Sequence, residues 1–209
     1  MRETLKPCFI GIAGPSGSGK TELAVRVAET LPGSVVLNLD SYYISLDHLP
    51  KAERDACNFD VPEMLDWALI NEHLEELGAG RAVEVPSYSF ETHSREPVTA
   101  SLHPTPFVIV EGIFALHDAG VRSRLNTSVY VRTPDEVCYE RRKARDVVER
   151  GRTEESVRSQ YEQTVRPGAM RYVWPTEQYA GLVVSGTQLI SDSVAEVLET
   201  VAGLTQTAC

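Results

Sequence analysis

The sequence predicts an α/β fold built on a doubly wound parallel sheet of about five strands, and three observations support this. Short apolar runs of strand length recur along the chain, helix-compatible segments separate most of them, and the first run leads straight into a glycine-rich turn. Strands that alternate with helices form a parallel sheet covered on both faces. With 209 residues and the apolar and charged fractions of an ordinary globular protein, the chain is expected to fold as one domain spanning 1–209.

In chain order, residues 9–13 form the first apolar run, and Leu23, Val25, Val27, Ala28 and Leu31 follow in a helical pattern ended by Pro32 and Gly33. Residues 35–39, 107–110, 129–131 and 182–184 repeat the buried-strand signature. Between the second and third of these runs, the pattern predicts a helix over about 62–77. Residues 82–86 and 97–102 then read as arms of a small β-hairpin, a substrate flap over about 80–103. A strongly charged helix over 134–150 breaks at Gly151, and a second one over 154–165 starts after a Thr153 cap. The basic imbalance beside Gly151, a candidate hinge, favours a helical lid over about 141–165.

The formal charge of −10 argues against general affinity for nucleic acid or an anionic membrane. Local positive charge exists nonetheless, because Arg141, Arg142, Lys143, Arg145, Arg150 and Arg152 are close together in an acidic chain. Cys8, Cys57, Cys138 and Cys209 are widely spaced and form no C-x-x-C pair, so they read as reduced thiols. No apolar run approaches membrane-spanning length, and the expected location is the cytoplasm.

Gly14, Pro15, Ser16, Gly17, Ser18, Gly19, Lys20 and Thr21 satisfy G-x-x-x-x-G-K-[ST] between a predicted strand and a predicted helix. This makes the expected fold a P-loop NTPase type. In such a loop, backbone N–H groups converge on phosphate oxygens, Lys20 reaches the β- and γ-phosphates, and Thr21 offers a hydroxyl to Mg²⁺. The loop alone does not separate kinases from GTPases or motor ATPases. No N-K-x-D guanine-reading motif is present, and the length leaves little room for force-transmitting domains.

Asp40 and Glu111 each follow an apolar strand, so both should emerge at the sheet edge that carries the glycine loop. Phosphoryl transfer to an alcohol needs a group that accepts the hydroxyl proton and a magnesium ion that offsets phosphoryl charge. Asp40 fits the first role and Glu111 the second, and either can reach Mg²⁺ through water. A solvated strand end is the plain alternative for each acid.

Asp40-Ser41-Tyr42-Tyr43 after the second strand and Glu111-Gly112-Ile113 after the third resemble the uridine kinase (uridine-cytidine kinase) family. Asn58-Phe59-Asp60, Pro86-Ser87-Tyr88-Ser89-Phe90, His93-Ser94-Arg95, the Arg141–Asp146 run, Glu149-Arg150-Gly151-Arg152 and Gln160-Tyr161 resemble it in the same order, from about residue 9 to 180. The resemblance implies ATP-dependent phosphorylation of the 5′-hydroxyl of uridine or cytidine and a homotetrameric assembly, while GTP stays open as an alternative donor. It implies that Asp40 is the base and that Asp60 and Arg142 hold the ribose hydroxyls near Gln160. Tyr43 and Phe59 then shape the nucleoside pocket, and Tyr88, Phe90 and His93 surround the pyrimidine. Arg145, Arg150 and Arg152 cover the ATP phosphates, and Thr21, Asp40 and Glu111 form the magnesium environment.

Residue by residue, other readings compete. Asp60 and Glu63 form D-x-x-E before a helix, so Asp60 could be an N-cap. Tyr88 and Phe90 could be ordinary strand packing, His93 an exposed loop residue, and the arginine-rich helix a solvated face with i, i+4 pairs. Gly181 stands where the resembled family usually has Asp, Val61 where many members have His, and Glu22 where Ser or Thr is common. Two alternatives stay open for the whole chain. One is another small-molecule P-loop kinase, such as a phosphoribulokinase or nicotinamide riboside kinase, and the other is a nucleotide-binding regulatory module without turnover.

Overall fold

The computed structural model describes residues 6–207. Five parallel strands form the central sheet: β1 (Cys8–Ala13), β2 (Ser34–Asn38), β5 (Phe107–Glu111), β6 (Thr127–Arg132) and β7 (Leu182–Ser185), in the order β2-β5-β1-β6-β7. The chain leaves β1 towards one edge of the sheet and later returns to the other side of β1. The reversal of strand order therefore falls beside the strand that feeds the glycine loop, where such sheets bind ligands.

Side-chain alternation explains why the sheet is covered on both faces. Phe9 and Ala13 of β1, with Val108 and Val110 of β5, pack on one side against Ile70, Leu74 and Leu77 of α3 (Trp67–Gly78). Ile10 and Ile12 with Ile109 point the other way, towards Leu23 and Val27 of α1 (Lys20–Thr30) and Val194, Val197 and Val201 of α8 (Ile190–Thr207). Neither strand has a polar face to offer water, and helices occupy both sides.

The helix expected over 62–77 is divided. Pro62–Met64 is a single 3₁₀ turn, and α3 starts later because Asp66 accepts a hydrogen bond from the Leu69 N–H at 3.1 Å. The N-cap is thus Asp66, and Asp60 is free of that duty. The hairpin is longer than its expected arms: β3 (Val83–Ser89) pairs antiparallel with β4 (Ser94–Leu102), with a register shift at Pro86/Ser87 where proline cannot donate to the ladder. Two short helices complete the loop regions, α2 (Lys51–Asp55) and α4 (Ala119–Arg124).

The charged helix α5 (Asp135–Arg150) ends at Gly151, whose φ of 63° lets its N–H turn back to the Asp146 carbonyl. α6 (Glu154–Gln160) starts at Thr153, whose hydroxyl accepts from the Ser156 N–H. Beyond it the helix widens into π turns at Tyr161–Val165 and Ala169–Val173 around the short α7 (Arg166–Gly168), then tightens to a 3₁₀ stretch at Trp174–Tyr179. Cys8, Cys57 and Cys138 are free thiols, while Cys209 lies outside the described residues. Among the described residues, no helix is long and apolar enough to cross a membrane.

Candidate active site

The glycine loop runs from the end of β1 to the start of α1, and its shape depends on residues without side chains. Gly17 has φ 83°, and a Cβ there would lie 2.2 Å from the Cys138 carbonyl oxygen. The loop can therefore lie against α5 only with glycine at this position. No side chain caps α1, so its first N–H groups are left to whatever anion the loop holds. Ser18 Oγ is buried there without a hydrogen-bond partner.

Lys20 and Thr21 follow directly. The Thr21 hydroxyl donates to Glu111 Oε1 at 2.9 Å, and Lys20 Nζ lies 3.9 Å from the same oxygen. Glu111 is only 2% exposed. Burial pushes its carboxyl pKa up, Lys20 and the Thr21 hydroxyl pull it down, and Asp40 adds to the rise. Hydroxyl and carboxylate form an all-oxygen donor pair beside the phosphate loop, the hard-ligand chemistry that suits magnesium. Among the described residues, no group of three or more His, Cys, Asp or Glu side chains could form a protein-only metal cage.

Asp40 is not a strand end. β2 stops at Asn38, and Asp40 sits in a 3₁₀ turn (Leu39–Tyr42) capped by the Asn38 side chain, whose Oδ1 accepts from the Asp40 N–H at 2.8 Å. The turn brings Asp40 close enough to influence Glu111, Asp60 and Tyr43 electrostatically. Asp60 accepts from the Thr164 hydroxyl at 3.1 Å. Burial raises its pKa, and Arg142 and Thr164 oppose the rise.

One crevice is bordered by Ser16, Lys20, Thr21 and Asp40 from the glycine-loop side, and by Tyr43, Phe59, Asp60, Phe90 and His93 from the hairpin side. Arg142, Arg145, Arg150, Arg152 and Gln160 cover it. Phe59 stacks on His93 with ring centres 4.4 Å apart and planes within 15°, and the Tyr43 hydroxyl donates to the Phe59 carbonyl at 3.2 Å. His93 is buried with φ 52°; its Nδ1 has no partner, and its Nε2 is 3.7 Å from Asp55. Burial lowers its pKa, which favours a neutral ring. Tyr88 is not among the residues that line the crevice; it packs against Tyr43 and Phe90, with ring centres 5.3 and 5.4 Å away.

The arginine helix is not a solvated face. Arg142 is buried, with Nη1 donating to Ser16 Oγ at 2.8 Å and Nη2 to Gln160 Oε1 at 3.0 Å, and Arg152 also donates to Gln160. Arg150 lies over the Phe90 ring, 4.8 Å from its centre.

Three contributors carried no individual role in the sequence. Arg95 anchors the hairpin by donating to the Tyr42 and Tyr43 carbonyls and pairing with Asp66 at 3.0 Å. A second cavity flanks the glycine loop between α1, Arg141 and the turn after β7, including Gly186 and Gln188. Arg141 ties that turn to the loop by donating to the carbonyls of Gly186 (2.9 Å) and Ser18 (3.3 Å). The position of this turn, beyond the carboxyl end of the last strand, was the available signal. The third contributor is Asp146, a buried carboxylate among Arg142, Arg145, Arg150 and Arg152. Gly181, by contrast, stands at the start of β7, on the sheet edge opposite the glycine loop, and its N–H is held by the Ser128 carbonyl and hydroxyl. Its departure from the usual Asp is therefore remote from the crevice.

A parallel sheet with a glycine-rich phosphate loop at its switch point, and beside it a crevice that brings Asp40 and Asp60 together with lysine and arginine side chains, defines a P-loop kinase. The chain belongs to the phosphoribulokinase / uridine kinase family, whose model matches residues 9–191. It is 42% identical over 191 residues to a protein named uridine kinase from Tolumonas auensis, covering 88% of this chain and 89% of that one. Identity is 44% over 190 residues to one of the same name from Vibrio parahaemolyticus, with the same coverage. The fold is similar to that of phosphoribulokinase from Rhodobacter spheroides, with a TM-score of 0.64 at 14% identity over 88% of this chain and 73% of that one.

Proposed function

We propose that the chain transfers the γ-phosphoryl group of magnesium-bound ATP to the 5′-hydroxyl of uridine and cytidine. The observation that carries this reading is a single crevice in which the phosphate-side residues Lys20 and Thr21 face the same space as Asp40 and the Phe59–Asp60–His93 cluster. The uridine kinase relatives at 42% and 44% identity point to the same acceptor.

In this reading Asp40 orients the 5′-hydroxyl and accepts its proton as the oxygen attacks phosphorus. Asp60 and Arg142 take the ribose hydroxyls, one as acceptor and the other as donor. A neutral His93 serves either base: one tautomer donates to uracil O4, and the other accepts from the cytosine amino group. The ring stacked on Phe59 keeps its plane fixed while the proton is on either nitrogen. Lys20, Arg145, Arg150 and Arg152 stabilise phosphoryl charge, and the cavity bordered by Arg141, Gly186 and Gln188 receives the base of the donor nucleotide. Thr21 and Glu111 would hold magnesium, which when bound offsets charge on the transferring phosphoryl.

A panel of acceptors with γ-labelled ATP tests the reading. Labelled UMP and CMP are expected, and transfer instead to ribulose 5-phosphate or nicotinamide riboside, with none to uridine or cytidine, would overturn it.

A further inference from the structure

The arginines over the crevice converge on one carboxylate, Asp146, which has no part in the chemistry just described. Asp146 is fully buried. An acid in that position is costly unless cations surround it. Its Oδ1 accepts from Arg145 Nε at 2.9 Å and Nη2 at 2.8 Å, with Arg150 Nη1 3.5 Å away. Its Oδ2 faces Arg142 Nε at 3.5 Å and Arg152 Nη1 at 3.8 Å. The backbone carbonyl of the same residue accepts from the N–H groups of Gly151 and Arg152, which folds the chain so that Arg152 returns to the carboxylate. Burial pushes the Asp146 carboxyl up, but Arg142, Arg145 and Arg150 outweigh it and hold the pKa below the usual carboxylate value.

The arginines themselves repel. The Arg150 pKa is lowered by burial first and then by the neighbouring Arg145, and Arg142 is lowered by burial with Arg145 and Arg152 adding to it. Without an internal anion, four guanidinium groups would separate until a phosphate arrived. A counter-ion that engaged every donor would instead compete with phosphate. Asp146 does neither, because each guanidinium carries five N–H groups and the carboxylate takes only a few of them. Arg145, Arg150 and Arg152 keep side-chain exposures of 33%, 28% and 26%.

We propose that Asp146 is a positioning residue, an internal counter-anion that gathers Arg145, Arg150 and Arg152 over the crevice before nucleotide binds. The proposal rests on the phosphoryl-transfer reading of that crevice. Donors already in place need no reorganisation when charge develops on the transferring group. The role belongs to the transition state, so it should be visible in kcat more than in ground-state binding.

Asp146→Asn, which keeps the shape and removes the charge, is compared with Asp146→Glu and the wild type by steady-state kinetics and by binding of ADP with uridine, with and without aluminium fluoride. For Asp146→Asn we expect kcat to fall roughly 10- to 100-fold, less than the loss of a catalytic donor itself, with KM for uridine and Kd for ADP within about threefold. The extra affinity that aluminium fluoride confers on the wild-type complex should shrink by a similar factor. Asp146→Glu, which restores the charge, should recover part of both, and it carries the test if the Asn variant does not fold. Wild-type kcat in both variants, or a loss of ADP affinity that matches the loss of kcat, overturns the proposal. If the wild-type protein phosphorylates no nucleoside, the underlying reading fails and this inference fails with it; if it turns over normally and only the variant comparison is flat, the inference alone fails.

Discussion

Replacing Arg142 with Met removes the cation that bonds to the glycine loop and Gln160 and lies near two acids, the partly buried Asp60 of the crevice and the buried Asp146. Its four neighbours differ in what they have left. Asp146 retains Arg145, Arg150 and Arg152, whereas Asp60 retains the Thr164 hydroxyl and only a weaker influence from Arg152. The damage therefore falls on Asp60. Breaking a buried ion pair costs about 3–5 kcal/mol, and because Asp60 is only partly buried and feels Arg142 through its field rather than a direct pair we expect less, about 2–3 kcal/mol, at neutral pH. For a chain of this length that corresponds to a Tm lower by roughly 4–12 °C.

The pH dependence is the sharper part of the prediction. The folded-state pKa of Asp60 is already raised, and removing Arg142 raises it further. A group whose pKa is raised on folding contributes stability at low pH and loses it as pH rises through the folded pKa. The gap in Tm between wild type and Arg142→Met should therefore be wide at pH 8 and narrow at pH 5.5, as Asp60 takes up a proton in the variant. Differential scanning fluorimetry at the two pH values measures it. A gap of the same size at both would show that Arg142 does not hold Asp60 in its charged form.

Two further substitutions probe other parts of the fold. A Cβ at Gly186 would meet Thr133 Oγ1 at 2.0 Å and the Ser18 carbonyl at 2.4 Å, so Gly186→Ala should displace the glycine loop. We expect roughly 1–3 kcal/mol of destabilisation and a KM for ATP raised at least about tenfold, with KM for uridine little changed; equal effects on both KM values would contradict this. His73 is buried with Nδ1 2.9 Å from the Tyr42 hydroxyl, and burial lowers its pKa. The unfolded chain takes up the proton first, so stability should fall as pH drops below about 6.5, by at most about 1.4 kcal/mol per pH unit for this group. His73→Gln should flatten that acid slope in a pH series of urea melts, and an unchanged slope would assign it elsewhere.

The five strands were legible because each is an apolar run bounded by turn residues, and the glycine loop because its residue types are dictated by phosphate geometry. Their spatial order was not, since a strand buried on both faces carries no mark of which neighbour it pairs with. Local hydrogen bonding produced the boundary errors. The Asn38 side chain starts a turn that a run of apolar residues concealed, and Asp66 captures the helix start that Asp60 and Glu63 seemed to mark. Asp146 was hidden for another reason. Its i, i+4 spacing with Arg142 and Arg150 reads as surface pairing, and only tertiary packing of α5 against the loop and α6 removes those groups from water. The Ser185–Gln188 turn was missed because it carries no motif, although its place after the last strand could have pointed to it.

The most direct test of the central claim is phosphoryl transfer from γ-labelled ATP to uridine by the wild-type protein and by Asp40→Asn. Loss of a general base costs about 10²–10⁴-fold, so the variant should lose labelled UMP by that factor while its affinity for ATP stays within about threefold. Turnover in Asp40→Asn within tenfold of wild type, or no labelled UMP from the wild-type protein, would contradict the account.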